Sequence, residues 1–166
     1  MSAAPLRING WDLYAHPLFL DQFAGFVTEV EKAKSRDPAG YRNKRAAKLL
    51  AAVRKVAFEV IPQDPSRPAY RQGGTLGPEH RHWFRAKFLQ QYRLFFRYRV
   101  AGERQIIVLA WVNDETTLRA YESSRDAYAV FRAMLGRGHP PDDWDALLAE
   151  AAAAADRLAR LGDGEP

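Results

Sequence analysis

Arg93, Arg97 and Arg99 recur along one stretch, Tyr92-Arg93-Leu94-Phe95-Phe96-Arg97-Tyr98-Arg99-Val100. The alternation predicts a β-strand over 92–100 in which the arginines share a face with Phe95, while Tyr92, Leu94, Phe96, Tyr98 and Val100 point into a core. The segment just before it, Trp83-Phe84-Arg85-Ala86-Lys87-Phe88, divides in the same way, with Trp83, Arg85 and Lys87 opposite Phe84, Ala86 and Phe88. Two neighbouring strands of this kind make a cationic face with aromatic rings among the cations. Same-side residues on a strand stand about 6.6 Å apart, comparable to neighbouring phosphates of an extended nucleic acid strand. RNA is held chiefly by unpaired bases laid on aromatic or guanidinium planes, with Lys and Arg on the phosphates. The pattern points to single-stranded RNA, with Trp83, Arg97 and Arg99 as candidates for holding it.

The charge of the whole chain agrees with an anionic partner. The 166 residues carry a formal net charge of +5, but residues 42–104 hold fifteen Lys and Arg against four Asp and Glu, and the flanks hold ten against sixteen. A basic centre on an acidic frame favours a polyanion and steers its approach; the alternative is a solvated basic surface with no partner. There is no cysteine, which excludes a disulfide scaffold, thiolate zinc sites and a cysteine nucleophile. The start, residues 1–9, lacks a basic region followed by an apolar stretch, and no window approaches a membrane span. The expectation is a soluble, cytoplasmic protein.

The elements that must position these residues follow from periodicity. After His16-Pro17, the apolar residues Phe19, Phe23, Phe26, Val27, Val30 and Ala33 recur at helical steps and predict a helix ending near Ser35. A second helix is expected at once, capped by Asp37, with Pro38 in its first turn and an inner stripe from Tyr41 to Val60 that Pro62 stops. Its outer residues Arg42, Arg45, Lys48 and Lys55 form a basic stripe, read either as solvated surface or as a flank that tracks a phosphate backbone. Residues 62–82 are rich in Pro and Gly and read as a long connection, with a short strand near Tyr70. Strands over 83–88, 92–100 and 104–112, joined by short turns, predict an antiparallel meander. The last of these is apolar on both faces and belongs in the centre of the sheet. Residues 1–16 read as turn-rich, with Asn9-Gly10 as a breaker. Helical patterns return over 116–121 and 124–135, and an Ala-rich helix is expected over 142–161. The fold class is α+β, with a helical hairpin packed on an antiparallel sheet of three to five strands and helices at the C-terminal end. One domain over 1–161 is expected, with 162–166 as a frayed tail.

Most arrangements that carry chemistry are missing. There is no phosphate-cradling glycine loop after a strand, no His-x-x-x-His pair and no serine elbow. His80 and His82 alternate in a loop but have no third ligand nearby in the sequence, so no metal site is expected. Asp142-Asp143 read as residues of a first helical turn.

Several separated motifs, in order, resemble a known family. The helical hairpin, the Arg85-x-Lys87 strand, the strand from Tyr92 to Tyr98 and the apolar strand closing in Trp111-Val112-Asn113-Asp114-Glu115 resemble the RelE superfamily of toxin endoribonucleases. More narrowly, Asn9-Gly10-Trp11, Tyr14-Ala15-His16-Pro17, Lys48-Leu49-Leu50, Thr117-Leu118-Arg119, Asp126-Ala127-Tyr128 and Arg137-Gly138-His139-Pro140-Pro141 are similar to the YhaV toxin family of type II toxin–antitoxin systems. The likeness runs from about residue 6 to 145. It implies a RelE-like fold and a metal-independent endoribonuclease, an mRNA interferase that cleaves mRNA in association with the ribosome and needs no cofactor. It also implies a cognate antitoxin of the PrlF type with an AbrB-like DNA-binding fold, through which the pair would meet operator DNA.

With neither metal nor a carboxylate pair, RNA can be cut by its own 2′-hydroxyl attacking the adjacent phosphate. Arg93 is the expected partner of the phosphate charge, because a guanidinium fork matches two phosphate oxygens, and Arg85 assists it. Lys87, crowded by these arginines, is the candidate base, since crowding disfavours its charged form. His139 is a candidate for the remaining proton transfer, held by the prolines that follow, or else it caps the preceding helix. Arg137, Arg119 and Tyr121 are further candidates for substrate contact. A non-catalytic module that binds RNA or the ribosome and blocks translation is the alternative.

Overall fold

The computed structural model describes residues 4–114, 117 and 126–163. Five strands form one sheet: β1 (Leu6–Ile8), β2 (Trp11–Ala15), β3 (Phe84–Phe88), β4 (Tyr92–Ala101) and β5 (Arg104–Val112), in the spatial order β1-β2-β5-β4-β3. The expected meander is present as β3-β4-β5, each pair antiparallel. β5 is central, as its two apolar faces require.

The sheet extends further than the meander. The turn-rich start is a hairpin in which Asn9 (φ 52°) and Gly10 (φ 83°) are the two left-handed residues of a two-residue turn, the conformation that Asn-Gly favours between twisted strands. β2 then lies parallel to β5, with Leu13 opposite Ile107. The α+β architecture stands, but the sheet is mixed.

Both faces of the sheet are covered. On one side α1 (Pro17–Arg36), α2 (Arg45–Lys55) and α5 (Ala155–Asp163) bury Phe19, Phe23, Leu50, Val53 and Leu158 against Leu13, Leu94, Phe96, Ile107 and Leu109. α2 runs on without a break through a π-helical segment, Val56–Val60, into Ile61–Gln63. Its start is later than the sequence suggests. Asp37 accepts from Gly40 N in a turn, Tyr41–Asn43 form a 3₁₀ turn, and the helix begins only after Lys44, whose backbone is extended. On the other side α3 (Ala127–Gly136) and α4 (Trp144–Ala153) bury Tyr128, Phe131, Leu135, Trp144 and Leu147 against Phe95, Val108, Ala110 and Trp111. The Ala-rich segment is two helices, α4 and α5, because Ala154 leaves helical geometry at φ −103°, ψ 13°. That break lets one stretch of chain cover both faces. No helix among the described residues is long and apolar enough to cross a membrane.

α1 is tied to the sheet by His16. Its backbone N–H continues the β2–β5 ladder to Leu109 O at 2.8 Å, and its Nδ1 accepts from Leu18 N at 3.1 Å, capping a helix that opens on Pro17. The imidazole is buried. Burial pushes its pKa down, aided by neighbouring His139 and opposed by Glu150 and Asp21. A histidine whose pKa is lower folded than unfolded takes up more protons on unfolding, so its contribution to stability is full above the unfolded value of about 6.5 and is lost as pH falls below it. Denaturant melts of wild type should lose stability on going from neutral pH into this acidic window. His16→Asn, which keeps a capping side chain but cannot titrate, should flatten that slope; an unchanged slope would assign the effect to other groups.

Candidate active site

The β3–β4 hairpin carries the site. Its register sets Lys87 opposite Arg93 and Arg85 opposite Phe95, so the two arginines and the lysine share a face as the alternation predicts. Leu89 (φ 44°) and Gln90 (φ 65°) make the tight connection. β3 is an edge strand, which leaves Arg85 on the rim of the sheet and Arg93 one strand in.

This face is not open. α3 and α4 lie across it, and the expectation of exposed stacking and phosphate-binding side chains is corrected at several positions. Trp83 is fully buried, its ring edge-on to Phe131 at 5.0 Å. Arg97 is 8 % exposed, with its guanidinium over the rings of Trp83 (5.6 Å) and Trp144 (5.2 Å), and donates to Asp142 O at 2.8 Å. Burial lowers its pKa from the usual arginine value. Arg99 is exposed and lies over the other part of the same platform, 4.8 Å from the Trp144 ring. The physical reason for the closure is the aromatic stripe of α3. Phe131 stacks on Phe95 (4.3 Å) and Trp111 (5.6 Å), and burying such ring pairs stabilises the closed arrangement.

Beneath α3, Arg85 and Arg93 converge on one atom. Tyr128 Oη accepts from Arg85 Nε at 2.7 Å and from Arg93 Nε at 3.3 Å. Arg85 Nη1 also donates to Ala69 O at 2.7 Å, and Arg93 Nη1 to Gln90 O at 2.8 Å and Tyr92 O at 2.9 Å. Both guanidiniums are buried, 8 % and 7 % exposed. All of these partners are neutral oxygens, and neither guanidinium pairs with a carboxylate among the described residues. Lys87 is exposed beside them. The backbone of Arg93 is fixed by Asn113, whose Oδ1 accepts from Arg93 N at 2.6 Å and whose Nδ2 donates to Gln91 O and Thr117 O, each at 3.0 Å. Asp126 caps α3 by accepting from Tyr128 N at 3.1 Å, which sets the height of the phenol.

The remaining predicted residues lie elsewhere. His139, exposed after α3, has its ring 5.7 Å from that of His16, on the β2 side of the sheet. Arg137 is exposed at the end of α3 and donates its backbone N–H to Ala133 O and Met134 O. Arg119 and Tyr121 lie outside the described residues. Two features escaped the sequence. Tyr128 reads as one more inner residue of an apolar stripe; the signal available was its hydroxyl, which a buried phenol must satisfy. His80 and His82 do gain a third neighbour, Asp142, brought by the fold from sixty residues away.

Two guanidiniums that converge on one phenol oxygen have a geometry that can suit a tetrahedral anion, whose oxygens can take two forks at once. Tyr128→Phe keeps the ring and strands both Nε–H groups. It should lower stability by about 1–3 kcal/mol, read from denaturant unfolding; a loss well under that would mean the two bonds contribute little.

Residues 13–152 match the model of a family described as toxin with endonuclease activity, of toxin-antitoxin system. The chain is 51 % identical over 148 residues to the ribonuclease toxin YhaV of Escherichia coli K12 and to toxin YhaV of Escherichia coli O6:H1, covering 88 % of this chain and 95 % of each relative. No solved structure matches the chain.

Proposed function

The chain belongs to the YhaV family of toxin–antitoxin toxins with endonuclease activity, and we propose that it is an mRNA interferase whose cleavage site is the Arg85–Arg93–Tyr128 cluster beside Lys87. The observation that carries this reading is the pair of buried guanidiniums with no carboxylate partner among the described residues. A buried cation paired only with neutral oxygens is costly, and a phosphate entering between the two forks would relieve that cost by charge-assisted bonds.

In this reading the 2′-hydroxyl oxygen attacks the adjacent phosphorus, the P–O5′ bond breaks, and the products are a 2′,3′-cyclic phosphate and a 5′-hydroxyl. Arg85 and Arg93 hold the non-bridging oxygens, where negative charge grows in the transition state. Lys87, exposed beside Arg93, takes the 2′-hydroxyl proton, and Tyr128 delivers a proton to the departing O5′. Tyr128 replaces His139 in the acid role, since His139 sits with His16 and away from the arginines. No metal takes part in the chemistry.

The RNA approaches past the β3–β4 turn. On the far side of that turn, Asn43, Arg45, Lys48, Leu49, Leu89 and Tyr92 line a groove of about 320 Å³, so the basic stripe of α2 extends the cationic surface beyond the two arginines. Arg99 and Arg137 hold flanking phosphates. The substrate is mRNA engaged on the ribosome, in the cytoplasm. A toxin of this class has an antitoxin; we take it to be a PrlF-like protein with an AbrB-type fold, which would carry the toxin to operator DNA.

Arg93→Ala should cut cleavage by about 10²-fold or more, and Arg93→Lys, which keeps charge but loses the fork, should recover only part of it. The measurement is the yield of new RNA 5′-hydroxyl ends with ribosomes present, alongside growth arrest on expression. A folded Arg93→Ala protein with full cleavage would remove Arg93 from the chemistry. Growth arrest without new 5′-hydroxyl ends in wild type would favour a non-catalytic block of translation. Lys87→Arg keeps the charge and removes the titratable base; its cleavage should fall while RNA binding holds, and unchanged cleavage would take Lys87 out of the proton transfer.

A further inference from the structure

At the end of the covered face away from Lys87, three side chains that the RNA chemistry does not use meet at one point. His80 closes the 3₁₀ turn Pro78–His80, His82 stands one residue before Trp83, and Asp142 lies in the link between α3 and α4. His80 Nδ1 is 3.1 Å and His82 Nε2 is 2.8 Å from the same oxygen, Asp142 Oδ1. The three donor atoms all lie within 4.8 Å of one another, and they are the one such group among the described residues. Ligand bonds of about 2.0–2.2 Å place neighbouring donors roughly 3–3.5 Å apart around a tetrahedral ion. The distances to Asp142 Oδ1, 2.8 and 3.1 Å, lie at or just below that spacing, so a small opening of the cluster admits an ion.

The surroundings match those of a metal ligand set. Trp83 Nε1 donates to Asp142 Oδ1 at 2.7 Å, so a single carboxylate oxygen draws three nitrogens, more than its lone pairs accommodate well. Glu79 Oε1 is 3.7 Å from His80 Nε2, the ring nitrogen left over when Nδ1 binds an ion; a carboxylate behind a histidine ligand fixes its tautomer and orientation. Side-chain exposures of 13 % for His80 and 36 % for His82 and Asp142 leave an entry path without dissolving the site in water. Two imidazoles and one carboxylate suit zinc and its first-row neighbours.

We propose that His80, His82 and Asp142 bind one divalent transition-metal ion of the zinc class, which clasps the loop before β3 to the α3–α4 link. Asp142 also takes Arg97 on its backbone oxygen, so the ion fastens the lid over the cationic face at the end remote from the cleavage cluster. The role is structural, and the site stands or falls independently of the RNA reaction.

The test uses the full, untagged chain, stripped with chelator and titrated with Co²⁺ at micromolar protein. One equivalent should give the visible d–d absorption of a four- or five-coordinate cobalt site, which Zn²⁺ then bleaches, and Zn²⁺ should raise the melting temperature. His82→Gln and Asp142→Asn should each weaken binding by more than the roughly 10–100-fold that loss of an outer-shell partner costs, with unchanged far-ultraviolet circular dichroism showing that the variants fold. His139→Ala, which removes the histidine beside His16, should leave the cobalt spectrum intact. The proposal is overturned if wild type gives no stoichiometric cobalt band, if folded His82→Gln binds as wild type does, or if His139→Ala abolishes the band.

Discussion

A guanidinium taken out of water must find oxygens for its N–H groups, and here two of them are taken out together with no carboxylate to share among the described residues. That requirement organises the region. The phenol of Tyr128 must stand between Arg85 and Arg93, so α3 must cross the sheet at one height, and it is held there by the Asp126 cap and by Phe131 wedged against Phe95 and Trp111. The loop before β3 must bring Ala69 O within reach, and the β3–β4 turn must aim Gln90 O inward. Apolar residues of similar size would cost less to bury. Under the proposed function, two cations held by neutral partners among the described residues lower stability in exchange for a prepared anion seat.

The three arginines of β4, equivalent in the sequence, occupy three environments. Arg93 meets neutral oxygens and a phenol. Arg97 is held between two tryptophans, where ring faces stabilise the cation that burial destabilises, and its hydrogen bond goes to a backbone carbonyl. Arg99 also lies over the Trp144 ring and stays exposed. What separates them is the helix above each: α3 over Arg93, the start of α4 over Arg97, and its margin over Arg99. A cation row on a strand states which side chains share a face, and the covering layer decides what each one does.

The central meander was legible because two-residue alternation is strong in β3 and β4 and because Ile106 to Val112 admit only a strand buried on both sides. The N-terminal hairpin was hidden by its length: three residues of β1 offer too little alternation, and Asn9-Gly10 marks a turn as readily as the end of an element. Asp37-Pro38 carried a good helix-start signal, yet Asp37 spends its carboxylate on Gly40 in a turn. The shared face of Arg85, Lys87 and Arg93 could be found from spacing on adjacent strands. Tyr128 and Asp142 could not, because an apolar helix stripe does not say which face of a sheet it will cover. His139 was attractive as the only histidine in a rigid late segment, but the chain turns it toward His16.

Covering a binding face closes it unless one end stays open, and the two ends of this face differ. At one end Trp83, Arg97, Trp144 and Asp142 interlock, joining β3, β4 and the α3–α4 link through a shared carboxylate and stacked cations. At the other, Lys87 is exposed, Leu89 is 53 % exposed, and the turn runs through two residues of positive φ. Under the proposed function a phosphate would come over the β3–β4 turn and along the edge strand, meeting Lys87 before the two guanidiniums. The closed end gives the arginines a rigid floor, and rigidity matters because charge stabilisation in a transition state depends on donors that need not reorganise. Covering layer and cluster are in this sense one device: the layer that removes water from Arg85 and Arg93 also lowers the dielectric around their charges, which strengthens their pull on any anion.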